Sequence, residues 1–259
     1  MAERRRRRKA ATERTESSTP SWFYWTMGLV ALVGVALIIA AIRSVPDLGR
    51  STFVGDDAGP TTAGGGQFPT QFDSLGISIG SEDAPVVVRE FADYQCPACA
   101  MFSETAKKLR AEYVEPGLVR FVLFDFPITS QHPNALAAAQ AARCAGDQGK
   151  YWEMHDQLFE HQAEWSGATD PGQHFMRFAE TIGIDAADHL RCVQSGVKLE
   201  AIQQSLGFAQ AVGIRSTPTV VVGDVRLPGV SGYSELRSLI EQRLEDERRR
   251  TENPSAREP

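Results

Sequence analysis

Basic charge is scarce in this chain outside one short stretch. The net charge over 259 residues is −6, yet Arg4 to Arg8, Lys9 and Arg14 crowd into the first twenty residues against only Glu3, Glu13 and Glu16. The remainder is therefore strongly acidic, which excludes a nucleic-acid-binding surface as its main business. Metal-ligating residues are few as well. There are four cysteines and five scattered histidines, so no second ligand pair stands at zinc-site spacing from Cys96 and Cys99. Gly149-Lys150 lacks the rest of a phosphate-binding loop, and no repeat of solenoid length is present. No cofactor and no metal are expected.

What the chain does have begins with a charge-free run from Trp22 to Ile42. As a helix it spans about 31 Å, the thickness of a bilayer's hydrocarbon core. Trp22, Phe23, Tyr24 and Trp25 suit the headgroup interface, and the basic cluster before them predicts a cytoplasmic N-terminus with everything after Arg43 outside. A cleaved signal peptide is the rival reading; its apolar region is normally shorter, and no convincing cleavage site follows Ile42. The expected organisation is a basic cytoplasmic tail (1–21), a transmembrane anchor (22–42), a flexible Gly/Pro/Thr-rich linker (43–76), one folded domain (77–246) and a disordered charged tail (247–259).

Within the domain, Ile77 to Ile79 and Val86 to Phe91 read as strands. Phe102, Ala106, Leu109 and Tyr113 define the buried stripe of a helix whose Glu104, Lys107, Lys108 and Arg110 face outward. Leu118 to Phe124 is the next strand, and this spacing is that of a parallel βαβ unit. A helical stretch fills about 130–212. Thr219 to Val222 and Val225 to Leu227 then flank Gly223-Asp224 as a hairpin, and a last amphipathic helix carries Leu236, Leu239, Ile240 and Leu244. The expected fold class is α/β: a mixed central sheet flanked by helices, with an all-helical insertion.

Four cysteines allow three pairings. Cys96 and Cys99 lie at a strand-to-helix boundary. Pro97 suits the first helical position, which puts Cys96 at the N-cap, where free amides and the helix dipole favour a thiolate. Cys99, one turn in, is expected to be buried. An outer nucleophile with an inner resolving thiol is the arrangement that dithiol exchange needs. The rival readings are half a zinc site and a structural staple, the latter poor because so short a loop removes little chain entropy. Cys144 and Cys192 read best as a structural disulfide clamping the insertion, stabilising by roughly 4 kcal/mol through chain entropy. Two free buried thiols, or a second redox pair, are the alternatives. Trp152 and His155 read as packing residues.

The segment Phe91-Ala92-Asp93-Tyr94-Gln95-Cys96-Pro97-Ala98-Cys99, with Ser216-Thr217-Pro218-Thr219, Asp125-Phe126-Pro127 and Gln148 to His155, resembles the DsbA-like, membrane-anchored branch of the thioredoxin superfamily. The resemblance covers about residues 75–246 and implies a thioredoxin fold interrupted by a helical domain. It also implies that Pro218 is a cis-proline beside the redox pair, that Thr217 contacts substrate and tunes the thiolate, and that Glu90 is a buried acid exchanging a proton with Cys99. On the residues alone, Glu90 has a rival reading as a solvent-facing strand residue. One departure is the Pro-Ala dipeptide between the cysteines. Strongly oxidising relatives carry a His there, so a less extreme thiol and a less oxidising disulfide are expected.

The function these features imply is an extracytoplasmic thiol-disulfide oxidoreductase. As an oxidase it would act on exported proteins through a mixed disulfide at Cys96, with reoxidation by a DsbB-like or vitamin-K-epoxide-reductase-like membrane partner. A reductase or isomerase is the alternative, and a membrane-tethered chaperone-like binding protein a further one. No nucleic-acid partner is expected.

Overall fold

A computed structural model describes residues 61–62 and 68–253. The anchor segment 22–42 and the final residues 254–259 lie outside them, and among the described residues no helix is long and apolar enough to cross a membrane. A six-stranded sheet organises the domain, with strands β1 (Thr61–Thr62), β2 (Ile77–Ile79), β3 (Val86–Ala92), β4 (Val119–Asp125), β5 (Thr219–Val222) and β6 (Val225–Pro228) in the order β1-β6-β5-β3-β4-β2. β3 and β4 run parallel, aligned from Val86 against Val119 to Ala92 against Asp125, and the other pairings are antiparallel. Helix α1 (Pro97–Leu109) makes the parallel crossover. The β5–β6 hairpin turns at Gly223, whose φ of 64° is open to glycine without a Cβ penalty.

Side chains alternate across β3. Val88 and Ala92 face α1 and the last helix, α8 (Tyr233–Glu252), which contributes Leu236 and Ile240. Phe91 faces the other way with Val122, Phe124 and Val221, where Phe91 and Phe124 stack at 4.8 Å. The expected helical stretch resolves into α2 (Ala135–Gly146), α3 (Tyr151–Glu160), the short α4 (Gln162–Trp165), α5 (Gly172–Thr181), α6 (Ala186–Ser195) and α7 (Leu199–Ala211). α7 is not remote from the sheet: Phe208 and Ala209 complete the core on the Phe91 face. Trp152 and His155 pack inside, with His155 fully buried.

Three boundaries and one side chain differ from expectation. Ordered structure starts before residue 77: a 3-10 turn at Thr70–Leu75 carries Asp73 into the protein, where its carboxylate meets Arg89 at 2.6 and 2.7 Å and Arg120 at 2.8 Å. The backbone at Thr61–Thr62 pairs with β6. At the other end, α8 continues to Glu252, through residues expected to be disordered. Ion pairs at helical spacing, Glu245 with Arg249 at 2.8 Å and Glu247 with Arg250 at 2.6 Å, support that extension. Arg110, expected to face solvent, is 8% exposed. At that residue α1 passes into a π-turn (Arg110–Val114) closed by Glu115 N–H to the Arg110 carbonyl at 3.0 Å, and the half-buried Asp156 pairs with the Arg110 side chain.

Cys144 in α2 and Cys192 in α6 form a disulfide across 48 residues. Replacing both by serine is expected to lower stability by about 3 kcal/mol, a little under the ideal chain-entropy figure because unfolded chains keep some structure. Denaturant unfolding checks this; an unchanged midpoint would mean that the helix packing, such as His189 Nε2 on the Ala141 carbonyl at 2.9 Å, suffices alone.

Candidate active site

β3 ends at Ala92, and the chain then makes a tight turn into α1. Asp93 shapes that turn. Its Oδ1 accepts from Gln95 N–H at 2.7 Å, while its Oδ2 accepts from Ile128 N–H at 2.7 Å and lies 2.8 Å from His132 Nδ1. Its own N–H points at Cys99 Sγ, 3.5 Å away. The helical insertion grips the same turn from the other side. Gln162 donates to the Tyr94 and Cys96 carbonyls at 2.7 and 3.0 Å, and Gln95 Oε1 accepts from Asn134 N–H at 2.6 Å. The redox turn is thus held by side chains from three separate segments.

Cys96 is the N-cap of α1 in extended conformation (φ −71°, ψ 122°), with Pro97 opening the helix. Its carbonyl accepts from the Cys99 and Ala100 amides at 3.1 and 3.2 Å. Cys96 and Cys99 are both free thiols. The Cys96 thiol is lowered to about 5, above all by its hydrogen bond with Cys99. Partial burial opposes that, and Thr217 and the amides of Cys99 and Ala98 assist it. Cys99 has no exposed surface, and its thiol is pushed well up by burial and by the neighbouring Cys96 and Glu90. The two thiols are therefore driven in opposite directions, as an attacking and a resolving group require.

The Thr217–Pro218 bond is cis. It places the Thr217 carbonyl 3.5 Å from Cys96 Sγ, and the Thr217 hydroxyl is buried without a hydrogen-bond partner. Glu90 lies under the pair on the α1 face of β3, 1% exposed, with neither carboxylate oxygen hydrogen-bonded. Burial raises it to about 8, against a lowering pull from Arg110. The structure thus brings together Cys96, Cys99, Thr217, Pro218 and Glu90. Cys144 and Cys192 stand apart as a disulfide.

Sequence reasoning passed over Asp93, Gln95, His132 and Gln162, because a turn-clamping network joins residues far apart in the chain and leaves no local pattern. It also missed the inward turn of Arg110, for which a signal existed. Arg110 is four residues beyond Ala106, as fitting for the buried stripe as Leu109 three beyond.

An N-capping thiol, a buried partner one turn in, and a cis-proline presented by the adjoining strand define a dithiol protein of thioredoxin type. The chain belongs to the thioredoxin family, whose model matches residues 74–242. It is similar to a Na(+)/H(+) antiporter NhaA 3 of Salinispora tropica, 32% identical over 70% of this chain and 26% of that protein. The chain thus spans about a quarter of the length of the antiporters it matches first. It is also similar to disulfide bond formation protein D of Bacillus subtilis, 27% identical over 64% of this chain and 76% of that one. Among solved structures, oxidised BdbD of Bacillus subtilis shares the fold, with a TM-score of 0.61 at 24% identity over 70% of this chain and 97% of that chain.

Proposed function

We propose that this chain is a thiol-disulfide oxidoreductase working outside the cytoplasm. The observation that carries the reading is the placement of the two free thiols. Cys96 caps the N-terminus of α1 beside the cis Thr217–Pro218 bond and Cys99 lies fully buried one turn in, which lowers the first thiol to about 5 and raises the second. In the oxidase direction a substrate thiolate attacks Cys96 Sγ of the Cys96–Cys99 disulfide, and Cys99 leaves as a thiolate and takes a proton from Glu90. A second substrate thiolate then attacks the substrate sulfur of the mixed disulfide. The substrate gains a disulfide, and Cys96 leaves as a thiolate. Thr217 and Pro218 hold the substrate backbone beside Cys96.

The same electrostatics support the oxidase direction. The Cys96 thiolate exists only in the reduced protein, so whatever stabilises it makes the disulfide a better oxidant. The sign is definite: that advantage is present above about pH 5, where the thiolate forms, and is lost as pH falls through it. The Cys144–Cys192 disulfide supports an oxidising compartment. The charge-free run 22–42 supports a membrane anchor with the domain outside. Exported proteins with free cysteines are then the substrates, and a DsbB-like or vitamin-K-epoxide-reductase-like membrane oxidase restores the disulfide. Similarity to a protein named for disulfide bond formation supports the same direction.

The reduction potential of the Cys96–Cys99 pair, measured against glutathione, tests it. A value in the range of roughly −120 to −200 mV is expected, as for strong protein oxidants and isomerases. A value near about −270 mV would instead make the protein a reductant.

A further inference from the structure

Cys99 is the sulfur on which charge must gather during exchange. It leaves as a thiolate when the disulfide opens, and it attacks as one when the disulfide closes. Yet it has no exposed surface, and burial pushes its thiol well up. A charge in such a place needs a hydrogen-bond donor. The Cys96 thiol serves only while it is free, because a Cys96 tied to substrate has no sulfur hydrogen left to give. The donor that remains is a backbone amide: Asp93 N–H lies 3.5 Å from Cys99 Sγ.

That amide is aimed by its own side chain. β3 ends at Ala92, so Asp93 N–H falls just beyond the strand and is not spent on the ladder. The Asp93 carboxylate is wholly buried and bonded through both oxygens. Oδ1 accepts from Gln95 N–H at 2.7 Å, which bends the chain back within two residues. Oδ2 accepts from Ile128 N–H at 2.7 Å and lies 2.8 Å from His132 Nδ1. Both of these partners sit on the segment that leaves β4, fixed to β3 by Phe126 N–H on the Ala92 carbonyl at 2.8 Å. The Asp93 carbonyl accepts from Cys96 N–H at 3.1 Å. A turn alone needs only the Gln95 bond, which a serine or asparagine side chain would supply. The second oxygen, reaching Ile128 and His132, fixes where the turn sits against Cys99.

We propose that Asp93 sets the rate of the Cys99 step: its carboxylate, bonded to Gln95, Ile128 and His132, aims its own amide at Cys99 Sγ, where that N–H meets the charge gathering on the sulfur. The inference rests on the dithiol reading above and deepens it. Near neutrality Cys99 is a thiol in the reduced protein and half of a disulfide in the oxidised one, uncharged in both. Its charge exists only in passage. A donor aimed there strengthens in the transition state and hardly at all in either resting state, so it speeds opening and closing alike.

The test uses the full chain in detergent with glutathione. In opening, a glutathione thiolate attacks Cys96 Sγ, and the Cys96–Cys99 bond breaks with its electron pair left on Cys99, which takes a proton from Glu90. Closing is the reverse: Cys99 gives up that proton, attacks Cys96 Sγ of the mixed disulfide and expels glutathione as a thiolate. Acid quenching, alkylation and mass spectrometry of the peptide carrying both cysteines follow each direction. An ester in place of the Ala92–Asp93 amide removes the N–H and keeps the carboxylate. It should slow both directions about tenfold and leave their ratio within about twofold of the parent's. Asp93→Ser, which still accepts from Gln95 but reaches neither Ile128 nor His132, should slow both in the same sense. Undiminished rates in the ester would overturn the inference. So would faster exchange in Asp93→Ser, which would mean that the carboxylate merely repels the Cys99 charge. A shifted ratio would overturn it too, because a loosened turn acts through the Cys96 thiolate, present only in the reduced protein. All three outcomes leave the dithiol reading intact. A parent pair that glutathione neither opens nor closes would overturn both.

Discussion

Replacing Cys96 by serine is expected to abolish thiol-disulfide exchange down to the uncatalysed background, whereas Cys99→Ser should keep the first attack and accumulate mixed disulfides. The asymmetry follows from the environments of the two sulfurs. Cys96 is ionised near neutrality, while Cys99 is buried, with its thiol pushed up by the surrounding low-dielectric core and by Glu90. Without Cys99 the intermediate has no inner thiol to resolve it. The pH dependence is specific as well. The first attack, read with a disulfide reagent on Cys99→Ser, should be flat above about pH 6 and fall tenfold per pH unit below the Cys96 midpoint, because protonation removes the nucleophile as pH drops. The hydrogen bond from Cys99 is the largest influence lowering Cys96, so Cys99→Ala should raise that midpoint further than Cys99→Ser, whose hydroxyl still donates. Full activity in Cys96→Ser, or a Cys96 midpoint at the ordinary thiol value of about 8.5, would remove the basis for the proposed function.

How much of this was legible in the sequence depends on how local each feature is. The Cys96-Pro97 N-cap needs only four adjacent residues, and its consequences for the thiol follow from helix geometry. The strands and the Gly223-Asp224 hairpin show in apolar runs and turn residues, and the mixed sheet follows from crossover spacing. Glu90 was ambiguous, since a charged residue between Arg89 and Phe91 reads equally well as exposed; only resemblance favoured burial. Arg89 shows why the pattern fails there. β3 carries charges on both faces, and each is buried: Glu90 against α1, and Arg89 against the turn at Thr70–Leu75. That turn sits in a Gly- and Pro-rich stretch read as linker, and its order comes from a partner sixteen residues on. Arg110 looked solvent-facing because it is charged, although its position four residues beyond Ala106 lies on the buried stripe of the helix.

The Asp73 cluster is where the largest stability effect should appear. Arg89 is nearly inaccessible at 2% side-chain exposure, bound by both oxygens of Asp73, with its guanidinium carbon 4.6 Å over the Phe68 ring. Asp73→Ala leaves that guanidinium buried without a counter-charge, and breaking a buried pair in this way costs about 3–5 kcal/mol. For a domain of this size the melting temperature should fall by roughly 10 °C. Arg120, 21% exposed, can turn to water and adds less. Burial of a pair, however, carries its own desolvation cost, so removing both partners should hurt less than removing one. Asp73→Ala with Arg89→Met is therefore expected to recover more than half of the loss, because the methionine fills the space over Phe68 and needs no partner. A double-mutant cycle by chemical denaturation checks both steps. If Asp73→Ala costs under about 1 kcal/mol, the pair is solvated enough to be a surface bridge. If the double variant is no more stable than Asp73→Ala, the carboxylate acts by ordering the 70–75 turn rather than by neutralising Arg89.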